Sequence, residues 1–164
     1  MIIIKILSAL LTPVIAIFAA YIGYKQYTIN KKNSERLLYM DRRKMDLDLY
    51  KSRYKIFDET KNVLLKISKN AGIDIIEVRD YNFSINESKF LFEEDIVNFL
   101  QELQRKAIDL THITKELENK QELPVNSIER NNKVKEWKVL IDFFTHEYQN
   151  LESRFIKYLD FRKI

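Results

Sequence analysis

The chain has no cysteine, and it has only two glycines and two prolines among 164 residues. Without cysteine it has no disulfide framework, no thiolate catalysis and no cysteine-based zinc site. Two glycines cannot build a glycine-rich phosphate loop, which excludes P-loop and Rossmann nucleotide sites. A many-stranded sheet needs turn residues about every 8–12 positions, so the shortage of glycine and proline excludes that class too. The sequence therefore predicts an all-α protein.

Histidine is almost as scarce, because the chain contains only His112 and His146. His146 is followed by Asn150 at the position where a zinc-protease helix carries its second histidine. The spacing of these residues does not match a known metal-binding motif. We therefore predict no metal site and no cofactor.

The N-terminus carries the longest uncharged stretch, from Ile6 to Tyr24, bracketed by Lys5 and Lys25. As a helix this stretch spans about 28 Å, close to the roughly 30 Å of a bilayer's hydrocarbon core. A cleaved signal peptide is the alternative, but no pair of small residues marks a cleavage site after the stretch. Residues 1–24 are therefore predicted to form an N-terminal transmembrane helix.

The flanks of this stretch differ in charge. Residues 25–44 carry seven basic and two acidic side chains, whereas only Lys5 precedes the stretch. The positive-inside rule then predicts a single-pass protein of the inner membrane, with the N-terminus outside and the C-terminal domain in the cytoplasm. The predicted partner of this basic stalk is the lipid bilayer, including anionic lipid. Nucleic acid is the other polyanion that a basic strip can bind, and we prefer the topology signal. The predicted membrane-interface residues are Tyr21, Tyr24, Tyr27, Lys25, Lys31, Lys32 and Arg36.

Small residues recur within the uncharged stretch. They are spaced so that two membrane helices could approach each other closely. The residues of this predicted self-packing face are Ala16, Ala19, Ala20 and Gly23. They indicate a homo-oligomer as one possible assembly.

The remaining residues, 45–164, are predicted to form a cytoplasmic helical bundle. Apolar residues recur at intervals of three and four in residues 47–67, 96–117 and 134–158, which is the period of a helix with one apolar face. Three long helices with short connections are typical of an antiparallel bundle. Residues 73–92 are less regular, and two capping-box patterns there, Asp74 with Glu77 and Ser84 with Glu87, predict two short helices.

The order of the long helices predicts their directions. The first would run away from the membrane, the second would return, and the third would run away again. The third is the longest, so its end would project beyond the second. Because an exposed aromatic patch would otherwise result, we predict that Phe155, Tyr158 and Phe161 pack on residues 73–92.

Four segments together resemble a known group of proteins. They are the membrane exit Tyr21–Tyr27, the run DLYKSRYKIFD at residues 48–58, the run FLFEEDI at residues 90–96, and the aromatic seam from Trp137 onward. The chain resembles a widespread group of small, uncharacterised bacterial single-pass membrane proteins with a cytoplasmic helical domain. No activity is assigned to that group, so the resemblance implies no catalytic residue.

Arg105 and His112 form an Arg-x6-His pattern. This spacing is similar to the Arg-x4–6-His motif of all-helical ribonucleases of the HEPN superfamily. Seven residues make nearly two turns of a helix, so both side chains would share a face. The resemblance implies a catalytic pair, and ordinary exposed polar residues are the alternative.

Taken together, these features predict a membrane-tethered, non-enzymatic interaction or scaffold module. It would bind a protein partner or a second copy of itself. The alternative is a membrane-acting effector whose transmembrane helices oligomerise. A membrane-bound HEPN-like ribonuclease using Arg105 and His112 is the more distant alternative.

Overall fold

The computed structural model describes residues 2–119, 124 and 127–160, with side chains from residue 13 onward. In this part of the chain there are five helices and no strand. The helices are α1 (Ile2–Asn70), α2 (Ile75–Ile85), α3 (Ser88–Leu91), α4 (Glu94–Glu118) and α5 (Ile128–Leu159). The prediction of an all-α helical bundle is confirmed. The chain divides into two compact units, Met1–Asp46 and Leu47–Ile164, which we call the N-terminal unit and the bundle unit.

The predicted transmembrane helix is not supported. Among the described residues, no helix contains a stretch both long enough and apolar enough to cross a bilayer. The prediction of a single-pass inner-membrane protein with its N-terminus outside is wrong for the same reason.

The helix boundaries around residues 70–84 can be compared directly with the sequence pattern. α1 ends at Asn70, and Ala71 then adopts a left-handed conformation (φ 53°), which commonly terminates a helix. The capping box of Asp74 and Glu77 starts α2 as predicted. The second capping box is wrong, because Ser84 lies inside α2 and its hydroxyl donates to a backbone carbonyl of that helix.

α2 runs back along α1. The hydroxyls of Thr60 and Tyr81 are 3.3 Å apart, and Lys66 donates to Glu77. Positions later in α1 therefore meet positions earlier in α2. This pairing makes α1 and α2 antiparallel, so the short helices accomplish the first reversal of the chain.

α4 consequently runs in the same direction as the bundle-unit part of α1. At one end Arg53 Nε donates to the carbonyl of Leu91 (2.8 Å), just before α4 begins. At the other end Thr111 Oγ1 donates to the carbonyl of Ile73 (3.3 Å), just after α1 has ended. The prediction that the second long helix returns along the first is therefore wrong.

α5 runs antiparallel to α4. Lys157, near the end of α5, pairs with Glu93 at the start of α4, and Lys133 pairs with Glu116 near the end of α4. The bundle unit is thus an up-down-up-down arrangement of α1, α2–α3, α4 and α5. This order is typical of helix bundles with short connections.

α5 extends beyond the end of α1. Lys61 of α1 pairs with Glu152 of α5 at 3.2 Å, and the two helices are antiparallel. Asn70, the last residue of α1, lies nine residues after Lys61, and Phe143 lies nine residues before Glu152 on α5. Asn70 and Phe143 are therefore level with each other. The first half of α5 therefore packs against α4 without α1 beside it. All five buried residues of α5 lie in its second half, at Phe144, Glu147, Leu151, Phe155 and Tyr158.

Candidate interaction site

The two ends of α5 have different surroundings, and the C-terminal end is closed. Phe155 is fully buried, with its ring 5.4 Å from that of Phe92, and Tyr158 lies 5.3 Å from the same ring. The Arg53 guanidinium covers both Phe92 and Tyr158. Phe155 and Tyr158 therefore pack on residues 73–92 as predicted, and Phe161 lies outside the described residues.

The other end of α5 forms one wall of an open cleft against α4, with a volume of about 690 Å³. Its lining consists of Asp109, His112, Ile113, Glu116, Lys133, Lys135, Glu136, Val139 and Leu140. The apolar part of this lining is Ile113, Leu140 and Val139, and Val139 is 67% exposed. The cleft thus presents apolar surface to solvent where the bundle is only two helices wide.

Charged side chains form the rim of the cleft. Lys133 Nζ lies 3.0 Å from a carboxylate oxygen of Glu116 and 3.6 Å from one of Glu136. The hydrogen bond to Glu116 raises the pKa of Lys133 above its ordinary value. Asp109 and Lys135 are exposed in the same rim. An apolar floor with a polar rim of both signs is the arrangement found in protein-binding surfaces.

The predicted catalytic pair is only partly placed in this cleft. His112 lines it, beside Asp109, whereas Arg105 is exposed on α4 and does not line it. Seven residues separate the pair, which is about 10 Å along a helix. In the described chain neither side chain forms an ion pair or a side-chain hydrogen bond. The structure therefore places one member of the predicted pair at the cleft and the other outside it.

The described residues contain no group of three or more histidine, aspartate or glutamate side chains that could hold a metal ion. The second histidine, His146, is on α5 and hydrogen-bonds to Asn150 of the same helix. It does not line the cleft. The two histidines are thus in different surroundings.

The other predicted site residues lie on α1 in the N-terminal unit. All of those predicted to contact a membrane are exposed, namely Tyr21, Tyr24, Tyr27, Lys25, Lys31, Lys32 and Arg36. The predicted self-packing residues, Ala16, Ala19, Ala20 and Gly23, are exposed as well. A Cβ atom added at Gly23 would meet no other atom within 4 Å. Nothing within the described chain requires a small residue there.

An ion pair on α5 between a buried glutamate and a half-exposed arginine is a feature that the sequence pattern missed. Glu147 is 5% exposed and accepts two hydrogen bonds from the Arg154 guanidinium, at 2.9 and 3.1 Å. The same guanidinium lies 4.5 Å from the ring of Phe99 on α4. Glu147 and Arg154 are seven residues apart, so the helical period could have suggested the pair. The burial of Glu147 depends on the packing of α5 against α4 and could not have been read from α5 alone.

No family model, no curated protein and no solved structure matches this chain. The two resemblances rest on residue patterns alone and stay predictions. The cleft and the exposed face of α1 are therefore interpreted from their own chemistry.

Proposed function

We propose that this protein is a non-enzymatic helical interaction module that binds an amphipathic helix of a protein partner in the α4–α5 cleft. This is the interaction role predicted from the sequence, without the membrane anchor. The observation that carries it is the apolar lining of Ile113, Val139 and Leu140, left open where α1 has ended.

The position of the cleft between two adjacent helices favours a helical occupant. Two adjacent helices leave a groove between them, and a third helix with an apolar face can fill it. A helix with its side chains is about 10–12 Å wide, comparable to the helices that pack elsewhere in the bundle. The partner would bury an apolar stripe against Val139 and Leu140. Its flanking charges would face Asp109 and Lys135.

The experiment compares two positions on α5 that have the same exposure and different surroundings. Val139 is 67% exposed and lines the cleft, and Ile156 is 68% exposed and does not. A photo-crosslinking amino acid is placed at either position in the full-length protein, which is then irradiated in its source cells. We expect one discrete protein adduct at position 139 and none at position 156.

The same adduct at both positions, or none at position 139, would contradict the proposal. A Val139→Asp substitution in a chain crosslinked from Leu140 adds a second test. It should reduce the adduct at least tenfold, whereas Ile156→Asp should leave it unchanged. Both replaced residues are exposed, so neither substitution is expected to unfold the protein.

A further inference from the structure

A second surface, in the N-terminal unit, combines basic and apolar side chains on one face of α1. Lys25, Lys32, Arg36 and Arg43 follow one another at intervals of seven, four and seven residues. At about 100° per residue they lie within roughly 40° of each other around the helix axis. Ile22, Ile29, Tyr39 and Met40 lie beside them, so that all eight occupy an arc of about 100°. We call these eight residues the basic–apolar stripe.

All eight side chains of the stripe are exposed. The apolar ones are 48–65% exposed, and none of the four cations forms an ion pair in the described residues. Lys32, Arg36, Tyr39 and Met40 line one shallow hollow, together with Glu35 at its edge. The stripe is therefore a single surface that offers apolar contact and unpaired positive charge at the same place.

An uncovered helix of this kind gains little stability by itself. Most helical stability in proteins comes from packing of an apolar face, and this face has no covering element within its own unit. The occupant must therefore supply apolar side chains that contact Ile22, Ile29 and Met40. It must also supply negative charge, because four cations flank those residues.

A second copy of the same stripe does not meet this requirement. In a parallel pair each cation would face its own counterpart. In an antiparallel pair centred on the stripe, Lys25 would face Arg43 and Lys32 would face Arg36. Like charges placed opposite each other are destabilising in paired helices. Self-pairing along the stripe is thus disfavoured in both directions.

Nucleic acid would use only half of the surface. Phosphates pair with cations and gain nothing from aliphatic side chains. Ile22, Ile29 and Met40 alternate with the cations along the whole stripe, so a phosphate backbone would leave them uncovered. A partner helix with apolar residues and flanking carboxylates would cover both kinds of side chain.

We infer that the basic–apolar stripe of α1 binds an acidic amphipathic helix of another protein in a two-helix coiled coil. This surface lies in the N-terminal unit and is independent of the α4–α5 cleft. It gives the chain a second protein-binding surface. The apolar side chains provide the contact area, and the cations select the acidic partner.

The probe is a synthetic peptide of three heptads with leucine at the core positions and glutamate beside them. Its binding to the full-length protein is followed by fluorescence anisotropy at about 0.15 M salt, where long-range charge effects are screened. Lys32→Glu/Arg36→Glu changes the stripe. The matched control, Lys31→Glu/Arg42→Glu, makes the same change in net charge about 100–120° away around the helix.

We expect saturable binding that Lys32→Glu/Arg36→Glu weakens at least tenfold and that the matched control changes less than threefold. Versions of the peptide with lysine for glutamate, or serine for leucine, should not bind. Because an amphipathic peptide could also enter the α4–α5 cleft, binding is measured in a Val139→Asp background as well. The part of the binding that Lys32→Glu/Arg36→Glu weakens should persist there, so failure here is separable from failure of the cleft proposal.

Equal weakening by both double variants would show attraction by net charge alone and would overturn the inference. A 20-base-pair DNA duplex that binds more tightly than the peptide, and responds to the same variant, would assign the stripe to nucleic acid instead. Sedimentation of the wild type as a dimer that Lys32→Glu/Arg36→Glu alters would assign it to a second copy.

Discussion

The two units of this protein differ in apolar burial, because all the buried apolar side chains that the structure describes lie in the bundle unit. Phe18 in the N-terminal unit is 63% exposed, whereas Phe155 in the bundle unit is fully buried. Both are phenylalanines on helices with a repeating apolar pattern. The difference comes from chain reversal, because three reversals in the bundle unit bring other helices against α5. Within the N-terminal unit no other segment returns along α1.

This contrast assigns different roles to the same residue type. The hydrophobic core consists entirely of residues between Ile56 and Tyr158, so the bundle unit contains all the apolar packing that the structure describes. Apolar residues of the N-terminal unit contribute to stability only when a partner covers them. We therefore expect core substitutions to change the free energy of unfolding, and substitutions before residue 46 to change binding instead.

The largest expected effect is on Phe155. Its ring contacts those of Phe57 and Phe92, each at 5.4 Å, and Phe155→Ala would leave a cavity among them. We expect a loss of about 3–5 kcal/mol in the free energy of unfolding. The matched substitution Phe18→Ala should change it by less than about 0.5 kcal/mol. Urea unfolding followed by the fluorescence of Trp137 on α5 measures both.

Comparable losses from the two substitutions would show that the apolar face of the N-terminal unit is covered in solution. That result would contradict the distinction between the units. The slope of the urea transition should be the same in both variants, because the surface exposed on unfolding is nearly unchanged.

A buried pair of hydroxyl groups gives the next largest expected effect. Thr60 is fully buried and donates to the carbonyl of Ile56 at 2.7 Å, with its oxygen 3.3 Å from the Tyr81 hydroxyl. Burial raises the pKa of Tyr81 above its ordinary value, and the hydrogen bond with Thr60 opposes that change. Thr60→Val would leave the tyrosine hydroxyl without this partner, at a cost of about 1–2 kcal/mol.

The double variant Thr60→Val/Tyr81→Phe tests the reason for that cost. Removing both partners leaves no unsatisfied group, so the double variant should be more stable than Thr60→Val alone. Thr145→Val serves as the control, because Thr145 is half-buried and donates only to a carbonyl of its own helix. If the double variant is as unstable as the sum of its single changes, the two hydroxyls are not coupled.

Helix content was readable from the sequence, and chain direction was not. The period of apolar residues predicted the long helices, and the capping box at Asp74 marked the start of α2. The direction of α4 depended on whether residues 73–92 run back along α1 before α4 begins. Their local pattern predicts two short helices whether or not they do so. Tertiary contacts such as that between Thr60 and Tyr81 decide the direction, and no local sequence signal predicts those contacts.

The candidate site was harder to predict for a related reason. A cleft forms at the open end of the bundle because α5 extends beyond the end of α1. That end could be located only once the directions of the helices were known. The sequence marked His112 for its spacing from Arg105, and the structure places only His112 in the cleft. The residues that define its apolar character, Val139 and Leu140, carry no motif.

The smallest expected effect is pH dependent and tests the closed end of α5, opposite the cleft. The Tyr158 hydroxyl donates to an Asp95 carboxylate oxygen at 2.8 Å. This hydrogen bond is the main cause of the lowered pKa of Asp95. The pKa of Tyr158 is raised, first by burial and then by the same hydrogen bond. A lowered carboxyl pKa stabilises the fold above its unfolded value near 3.9. That stabilisation is lost as the pH falls through the folded pKa.

The tyrosine contributes in the opposite direction. Its raised pKa stabilises the fold below the ordinary value of about 10, and this stabilisation is lost as the pH rises through the folded pKa. Tyr158→Phe removes both contributions. We expect the substitution to lower the free energy of unfolding by about 0.5–1 kcal/mol at pH 7. The loss is small because solvent screens the exposed side of the pair. The difference in free energy of unfolding between variant and wild type should shrink below about pH 4 and above about pH 10.

Urea unfolding at pH 3, 7 and 10.5 measures this difference. Other groups also titrate in these ranges, including Glu93, whose pKa is lowered by its hydrogen bond with Lys157. Groups that do not contact Tyr158 affect both proteins alike, so only the difference between Tyr158→Phe and the wild type is informative. A hydrogen bond with Tyr158 also lowers the pKa of Glu93, so Glu93 adds to that difference in the acid range with the same sign as Asp95. Tyr54→Phe, at a half-exposed tyrosine, is the control and should give a difference independent of pH. A Tyr158→Phe difference that is likewise constant would mean that Tyr158 stabilises the closed end by packing alone, without its bond to Asp95.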